Sequence, residues 1–184
     1  HNFNTLKTIS YSDFKDYIII SLKLTITDTT GTTDKITKNL ILIKFPEDII
    51  INDEDYELTG IIVHSGPSLT SGHYFSFLKH NNVWYETNDN DPIKHIHNIG
   101  KRINDLGPNQ TPYIYFYRKK NMLKIDNIQL RDIPIPLKNE GWTCYLNATM
   151  QQLFNNIHLY NSLKIGGQSE IDYDKEQVRQ AVEA

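Results

Sequence analysis

Two hydrophobic patterns are segregated along this chain, and that segregation constrains the fold more than any other feature. From Tyr17 to Tyr117 the apolar residues fall in short runs rich in β-branched and aromatic side chains, each bounded by Gly, Pro, Asn or Asp. Tyr17 to Thr27 carries Leu22, Leu24 and Ile26 on alternate positions, and Asp28-Thr29-Thr30-Gly31 reads as a turn before another β-rich run near Leu40 to Phe45. Tyr56 to Val63, Tyr74 to Leu78, Val83 to Glu86 and Tyr113 to Tyr117 add four further strands. Only after Ile133-Pro134-Ile135-Pro136 does a helical period begin, in Leu146, Met150, Leu153, Phe154 and Ile157. The sequence predicts an α+β fold: an antiparallel, strongly bent sheet with an amphipathic helix, Cys144 to about Ile157, packed against it. Gly166-Gly167 is a break, and Glu170 to Ala184 has weak helical character without an apolar stripe.

Composition narrows the classes of function. A chain of 184 residues with 39% apolar residues is long enough for one globular domain with its own core. A formal net charge of -3 provides no basic field for nucleic acid. The single cysteine excludes an internal disulfide and a zinc site of several thiolates, so no metal and no cofactor is expected, and the compartment is read as reducing: cytoplasm or nucleus, or a host's cytosol if the source is a virus. No run approaches the roughly 20 apolar residues of a spanning helix, and no secretory signal opens the chain, so a soluble protein without a membrane partner is expected. The chain begins with His1 and is read as a segment of a longer polypeptide.

The single cysteine opens the predicted helix. A helix start favours an anion, thiolate or oxyanion alike, because its first amides carry the positive end of the dipole. Cys144 is therefore the candidate nucleophile. Upstream, Gly72-His73-Tyr74 offers an imidazole as the base that takes the thiol proton and later protonates the leaving amine. Asn88, fifteen residues on, is placed to orient His73 across a hairpin, with Asp89 as its rival. Asn139, in the loop before the helix, would aim its amide at the oxyanion beside the Cys144 backbone N–H. Taken singly each piece has a plainer reading, as a buried thiol, a turn histidine and hairpin punctuation. Their conjunction carries the argument.

The flanking residues sharpen it. Pro136-Leu137-Lys138-Asn139-Glu140-Gly141-Trp142-Thr143-Cys144-Tyr145-Leu146-Asn147 through Gln151-Gln152-Leu153-Phe154 resembles the cysteine box of the ubiquitin-specific proteases, papain-like deubiquitinases. Tyr56 through Val63-His64-Ser65-Gly66, Gly72-His73-Tyr74 and Trp84-Tyr85-Glu86-Thr87-Asn88-Asp89 resembles their histidine box, Ile20 to Leu24 and Tyr113 to Arg118 are similar to further family strands, and Phe45 to Ile49 is a supporting match. The resemblance implies a papain-like fold in which a palm sheet packs on the cysteine helix. It implies cleavage after the C-terminal glycine of ubiquitin through an acyl-enzyme, with ubiquitin, ubiquitin chains and ubiquitinated proteins as partners.

In the family the cysteine box comes first, whereas here it follows the histidine box, so the order implies a circular permutant. Residues 1–118 would form the palm-like part, 119–135 a connector joining the usual domain ends, and 136–184 the cysteine helix with a short remnant of the thumb. The family's zinc fingers need paired cysteines that this chain lacks. Trp142 and Thr87 also depart from the family pattern: Trp142 would crowd or cover the substrate channel, and Thr87 stands where an aromatic is common. Tyr74, Gly72, Trp84, Trp142 and the loop Ser65-Gly66 onward are the expected lining of a channel narrow enough for a di-glycine tail. For Trp84, plain core packing is the favoured role. Two other readings stand beside the protease: a ubiquitin-binding module of the same fold with weak or no activity, and a papain-like peptidase acting on something else.

Overall fold

The computed structural model describes residues 16–28, 35–40, 42–43, 45–68, 71–121 and 133–156. Nine strands and two helices are present among them: β1 (Tyr17–Ser21), β2 (Thr25–Asp28), β3 (Lys35–Lys38), β4 (Asp48–Ile51), β5 (Glu54–Ser65), β6 (His73–His80), β7 (Val83–Thr87), β8 (Lys94–Ile96), α1 (Ile99–Asn104), β9 (Gln110–Lys119) and α2 (Cys144–Asn155). Seven strands make one antiparallel sheet in the order β1-β9-β5-β6-β7-β8, with β4 added to β5; β2 and β3 pair separately.

The long strand β5 organises the sheet. One edge pairs with β9, while β4 takes its first residues and β6 its last on the other edge. Its hairpins explain the register. Asn52-Asp53 and Asn81-Asn82 all have positive φ, the conformation that a two-residue turn between right-twisted strands requires and that Asn and Asp tolerate. Two register shifts interrupt the β5–β9 ladder, near Thr59 and beside Pro112, which has no N–H to give. Thr59 Oγ1 bonds the Phe116 carbonyl at 3.2 Å across the first of them. Such bulges bend and twist a sheet locally.

Both faces of β5 are covered. Tyr56, Leu58, Ile61 and Val63 join Phe75, Phe77, Trp84, Tyr115 and Tyr117 in the main core, closed by Ile99 and Ile103 of α1. On the opposite face Ile62 and Phe116 meet Ala148 of α2. The approach is close at Gly60, where a Cβ would stand 1.6 Å from Gln152 Oε1. An alanine there would have to push the Gln152 amide aside.

The helix runs over the expected residues, but the face it turns to the sheet is not the apolar one. Its buried residues are Ala148, Gln151 and Gln152. Asn147, Gln151, Gln152 and Asn155 recur at helical spacing, and Gln152 Nε2 donates to the Phe77 carbonyl at 2.9 Å and Asn155 Nδ2 to that of Lys79 at 2.9 Å. Asn155 Oδ1 also faces His80 Nδ1 at 2.8 Å. Leu146, by contrast, is 44% exposed. Amide side chains can satisfy strand carbonyls that leucines would leave dry, and apolar periodicity does not register this. Ile157 and residues 158–184 lie outside the described residues, as do 122–132 of the predicted connector.

Other expectations are corrected. The run near Leu40 to Phe45 is not a strand at its described positions; Leu42 and Phe45 pack on the core, and the hydroxyls of Tyr115 and Tyr117 donate to the carbonyls of Ile43 and Pro46, each at 2.6 Å. The first predicted strand is broken at residues 22–24. Strands β3, β4 and β8 and helix α1 were not anticipated. No helix among the described residues is long and apolar enough to cross a membrane.

Candidate active site

His73 opens β6, directly opposite Ser65 of β5. The loop between them closes on itself through glycine: at Gly66, φ +157, a Cβ would lie 2.8 Å from the Gly72 Cα, and Gly72, φ +149, abuts Ser65 and the His64 ring. Next to β6, β7 ends at Thr87, whose hydroxyl pairs with that of Ser76 at 2.7 Å inside the sheet. A small hydroxyl residue is suited to that buried place.

Asn88 follows immediately. Its Oδ1 stands 2.5 Å from His73 Nε2, and its Nδ2 donates to Asp91 Oδ2 at 2.9 Å. The second bond fixes the amide orientation, so oxygen faces the imidazole and Nε2 must carry the hydrogen. In the neutral ring Nδ1 is then the lone pair that can accept a proton.

Asp89, with φ 48, turns the other way. Its Oδ2 accepts from Asn139 Nδ2 at 2.7 Å, its Oδ1 from Asn147 Nδ2 at 2.8 Å, and its carbonyl from the Leu137 N–H at 2.9 Å. Oδ2 also lies 3.8 Å from His73 Nε2. One carboxylate thus joins the histidine segment to both the loop before α2 and the first turn of that helix.

Asn139 organises this loop. Its Oδ1 accepts from the N–H groups of Gly141 at 2.8 Å and Thr143 at 3.2 Å. Gly141 has φ +93, a conformation that favours glycine. Asn139 Nδ2 has two hydrogens, and Asp89 takes one. Thr143, the residue before the helix, makes no side-chain cap bond, and the first turn carries no acid. Half-buried Cys144 is the first helical residue, at the end where unpaired amides gather.

The structure thus gathers His73, Asn88, Asp89 and Asn139 at the N-terminus of the cysteine helix in two hydrogen-bonded sets, His73–Asn88 and Asp89–Asn139, joined through the Asn88–Asp89 peptide bond and a 3.8 Å approach of Asp89 Oδ2 to His73 Nε2. Tyr74 lies close by. Burial raises its hydroxyl pKa above the ordinary value, with smaller upward pushes from Tyr113 and Cys144. Gly72, Ser65 and Gly66 form the neck of the loop before His73. Trp142 is 71% exposed, and Trp84 sits inside the main core, 6% exposed. Asn147 and Asp91 were missed by sequence reasoning. Asn147 follows Cys144 by three residues, one turn into the same helix. Among the described residues no group of three or more His, Cys, Asp or Glu side chains could hold a metal ion.

Known proteins resemble part of this chain. Residues 4–117 match the family described as Ubiquitin carboxyl-terminal hydrolase. Ubiquitin carboxyl-terminal hydrolase A of Dictyostelium discoideum is 37% identical over 65 residues, covering 35% of this chain and 7% of that protein. Ubiquitin carboxyl-terminal hydrolase 11 of Schizosaccharomyces pombe is 29% identical over 106 residues, 57% of this chain and 29% of its own length. The probable ubiquitin carboxyl-terminal hydrolase 16 of the same yeast is 39% identical over 67 residues, 36% and 13% respectively. The chain therefore spans less than a third of each of these relatives. A structure titled as an essential yeast splicing factor overlaps 59% of this chain and 26% of its own, with TM-score 0.42 and 18% identity.

Proposed function

The chain belongs to the ubiquitin carboxyl-terminal hydrolase family, and from that premise we propose that it is a thiol isopeptidase that hydrolyses the bond after the C-terminal glycine of ubiquitin. In this reading His73 Nδ1 takes the proton from Cys144 Sγ, and the thiolate attacks the glycine carbonyl carbon. The Cys144 backbone N–H and the second Nδ2 hydrogen of Asn139 receive the oxyanion. Collapse expels the lysine amine, which His73 protonates, and water then releases the glycine carboxylate from the thioester. Asn88 holds the ring in the tautomer this requires.

The observation that supports the reading best is the adjacent pair Asn88–Asp89, in which Asn88 bonds the His73 imidazole while Asp89 accepts from Asn139 and from Asn147 of the cysteine helix. It also supports the permuted arrangement, since a site of this kind needs convergence in space and not a fixed chain order. Residues 1–118 then act as palm, 119–135 as connector and 136–184 as cysteine helix with a reduced thumb. Tyr74, Gly72, Ser65, Gly66 and the exposed Trp142 are the residues proposed to meet the ubiquitin tail.

Incubation with lysine-linked diubiquitin tests it. Conversion to monomers that is lost in Cys144→Ala and in His73→Ala supports the reading. Saturable ubiquitin binding without turnover would instead establish the binding module, and cleavage of unrelated peptides alone would establish the general peptidase.

A further inference from the structure

Lys38 is the last residue of β3, in the small sheet outside the main one, yet its ammonium reaches three pieces of chain. Nζ donates to the carbonyls of Gly66 at 2.8 Å, Asn109 at 2.9 Å and His64 at 3.4 Å. These are the end of β5, the loop after it and the turn before β9. An ammonium has three hydrogens, and here each has an acceptor. Gly66 N–H donates to the same Asn109 carbonyl at 3.0 Å.

A second group meets the loop as well. The His64 ring is fully buried, packs on Tyr74 with centroids 4.8 Å apart, and stands so close to Gly72 that a Cβ there would fall 2.5 Å from its Nε2. The neck formed by Gly66 and Gly72 thus meets a cation at the Gly66 carbonyl and an imidazole beside Gly72. His73 is the next residue. Burial pulls the Lys38 ammonium below its ordinary pKa, as expected of a charge withdrawn from water onto backbone carbonyls.

We propose that Lys38 is a positioning residue for His73: by gathering the carbonyls of His64, Gly66 and Asn109 it fixes the neck of the loop from which the imidazole emerges. The proposal rests on the reading of His73 as the catalytic base. A residue that holds another in register acts on the reacting geometry more than on substrate binding, so its loss falls on kcat.

The test uses Lys38→Met and Lys38→Arg in the whole chain, with two readouts: hydrolysis of a fluorogenic ubiquitin C-terminal amide, and amide hydrogen exchange. Lys38→Met is expected to lower kcat about tenfold with KM within about twofold, and to speed exchange of the Gly66 amide about tenfold while β7 amides keep their protection. Lys38→Arg, which keeps charge and donors, should recover most of the lost kcat. Unchanged kcat and Gly66 exchange in Lys38→Met would overturn the proposal, as would faster exchange spread evenly over the sheet. If the wild type hydrolyses no ubiquitin substrate, the proposed function falls, and Gly66 exchange alone decides whether Lys38 fixes the neck.

Discussion

Asp89 Oδ1 accepts a hydrogen bond from Asn147 Nδ2 at 2.8 Å, joining the end of one sheet hairpin to the first turn of a helix 58 positions later in the chain. Its neighbour Asn88 makes no such link and instead holds His73. Two adjacent residues have thereby divided two tasks. Asn88→Ala is expected to lower kcat by roughly 10²-fold, with little change in unfolding midpoint, because it removes only the group that orients the base. Asp89→Ala should lower kcat less and destabilise the fold by about 1–2 kcal/mol, since it removes the acceptor shared by Asn139 and Asn147 and leaves Asn147 only the carbonyls of Leu137 and Lys138. Steady-state kinetics with urea unfolding of both variants checks this, and equal small effects would contradict it.

The same link predicts coupling. In a double-mutant cycle of Asp89→Ala and Asn147→Ala, the combined loss of stability should fall short of the sum by about 1 kcal/mol, because each single change already breaks the shared bond. Strict additivity would show that the two residues act independently.

Gly60 and Gln152 predict a packing effect. A methyl group on Gly60 would occupy the place of Gln152 Oε1, so Gly60→Ala must displace a side chain that also bonds the Phe77 carbonyl. A loss of about 1–3 kcal/mol is expected. Gly60→Ala in a Gln152→Ala background should cost clearly less than in the wild type, as measured by urea unfolding.

How much of this was legible beforehand follows from particular residues. The strands at 56–63, 74–78, 83–86 and 113–117 were readable because their β-branched and aromatic runs end at Gly, Asn or Pro. Cys144, His73, Asn88 and Asn139 stood out because unusual residue types met motif-like neighbours. Strand β4 was hidden because Asp48-Ile49-Ile50-Ile51 lies just after Pro46, and the run near Leu40 to Phe45 mimics a strand although its described residues are loop, with Leu42 and Phe45 packed on the core. The orientation of α2 was misread for a physical reason. Gln151, Gln152 and Asn155 bury amides against backbone carbonyls, and a pattern rule that equates buried with apolar assigns that face to solvent. Lys38 left no local signal, since its three acceptors lie 26 to 71 positions away.

Acidification supplies a separate test. Burial, then the nearby charges of Lys38 and His73, hold the His64 pKa below its ordinary value of 6.5. Between that value and the lower folded one, the unfolded chain binds more protons than the native chain, so stability falls as pH drops through this window and is at its plateau above it. The wild type should lose melting temperature from pH 7 to pH 5 by more than His64→Gln, which cannot titrate. Parallel melting curves for the two proteins would remove His64 from the account.

The most direct measurement is intact mass after incubation with ubiquitin bearing a C-terminal electrophile. The account predicts one covalent ubiquitin adduct, located at Cys144 by peptide mapping, absent from Cys144→Ala and strongly slowed in His73→Ala. Equal labelling of wild type and Cys144→Ala, or no adduct on a folded wild-type chain, would contradict it.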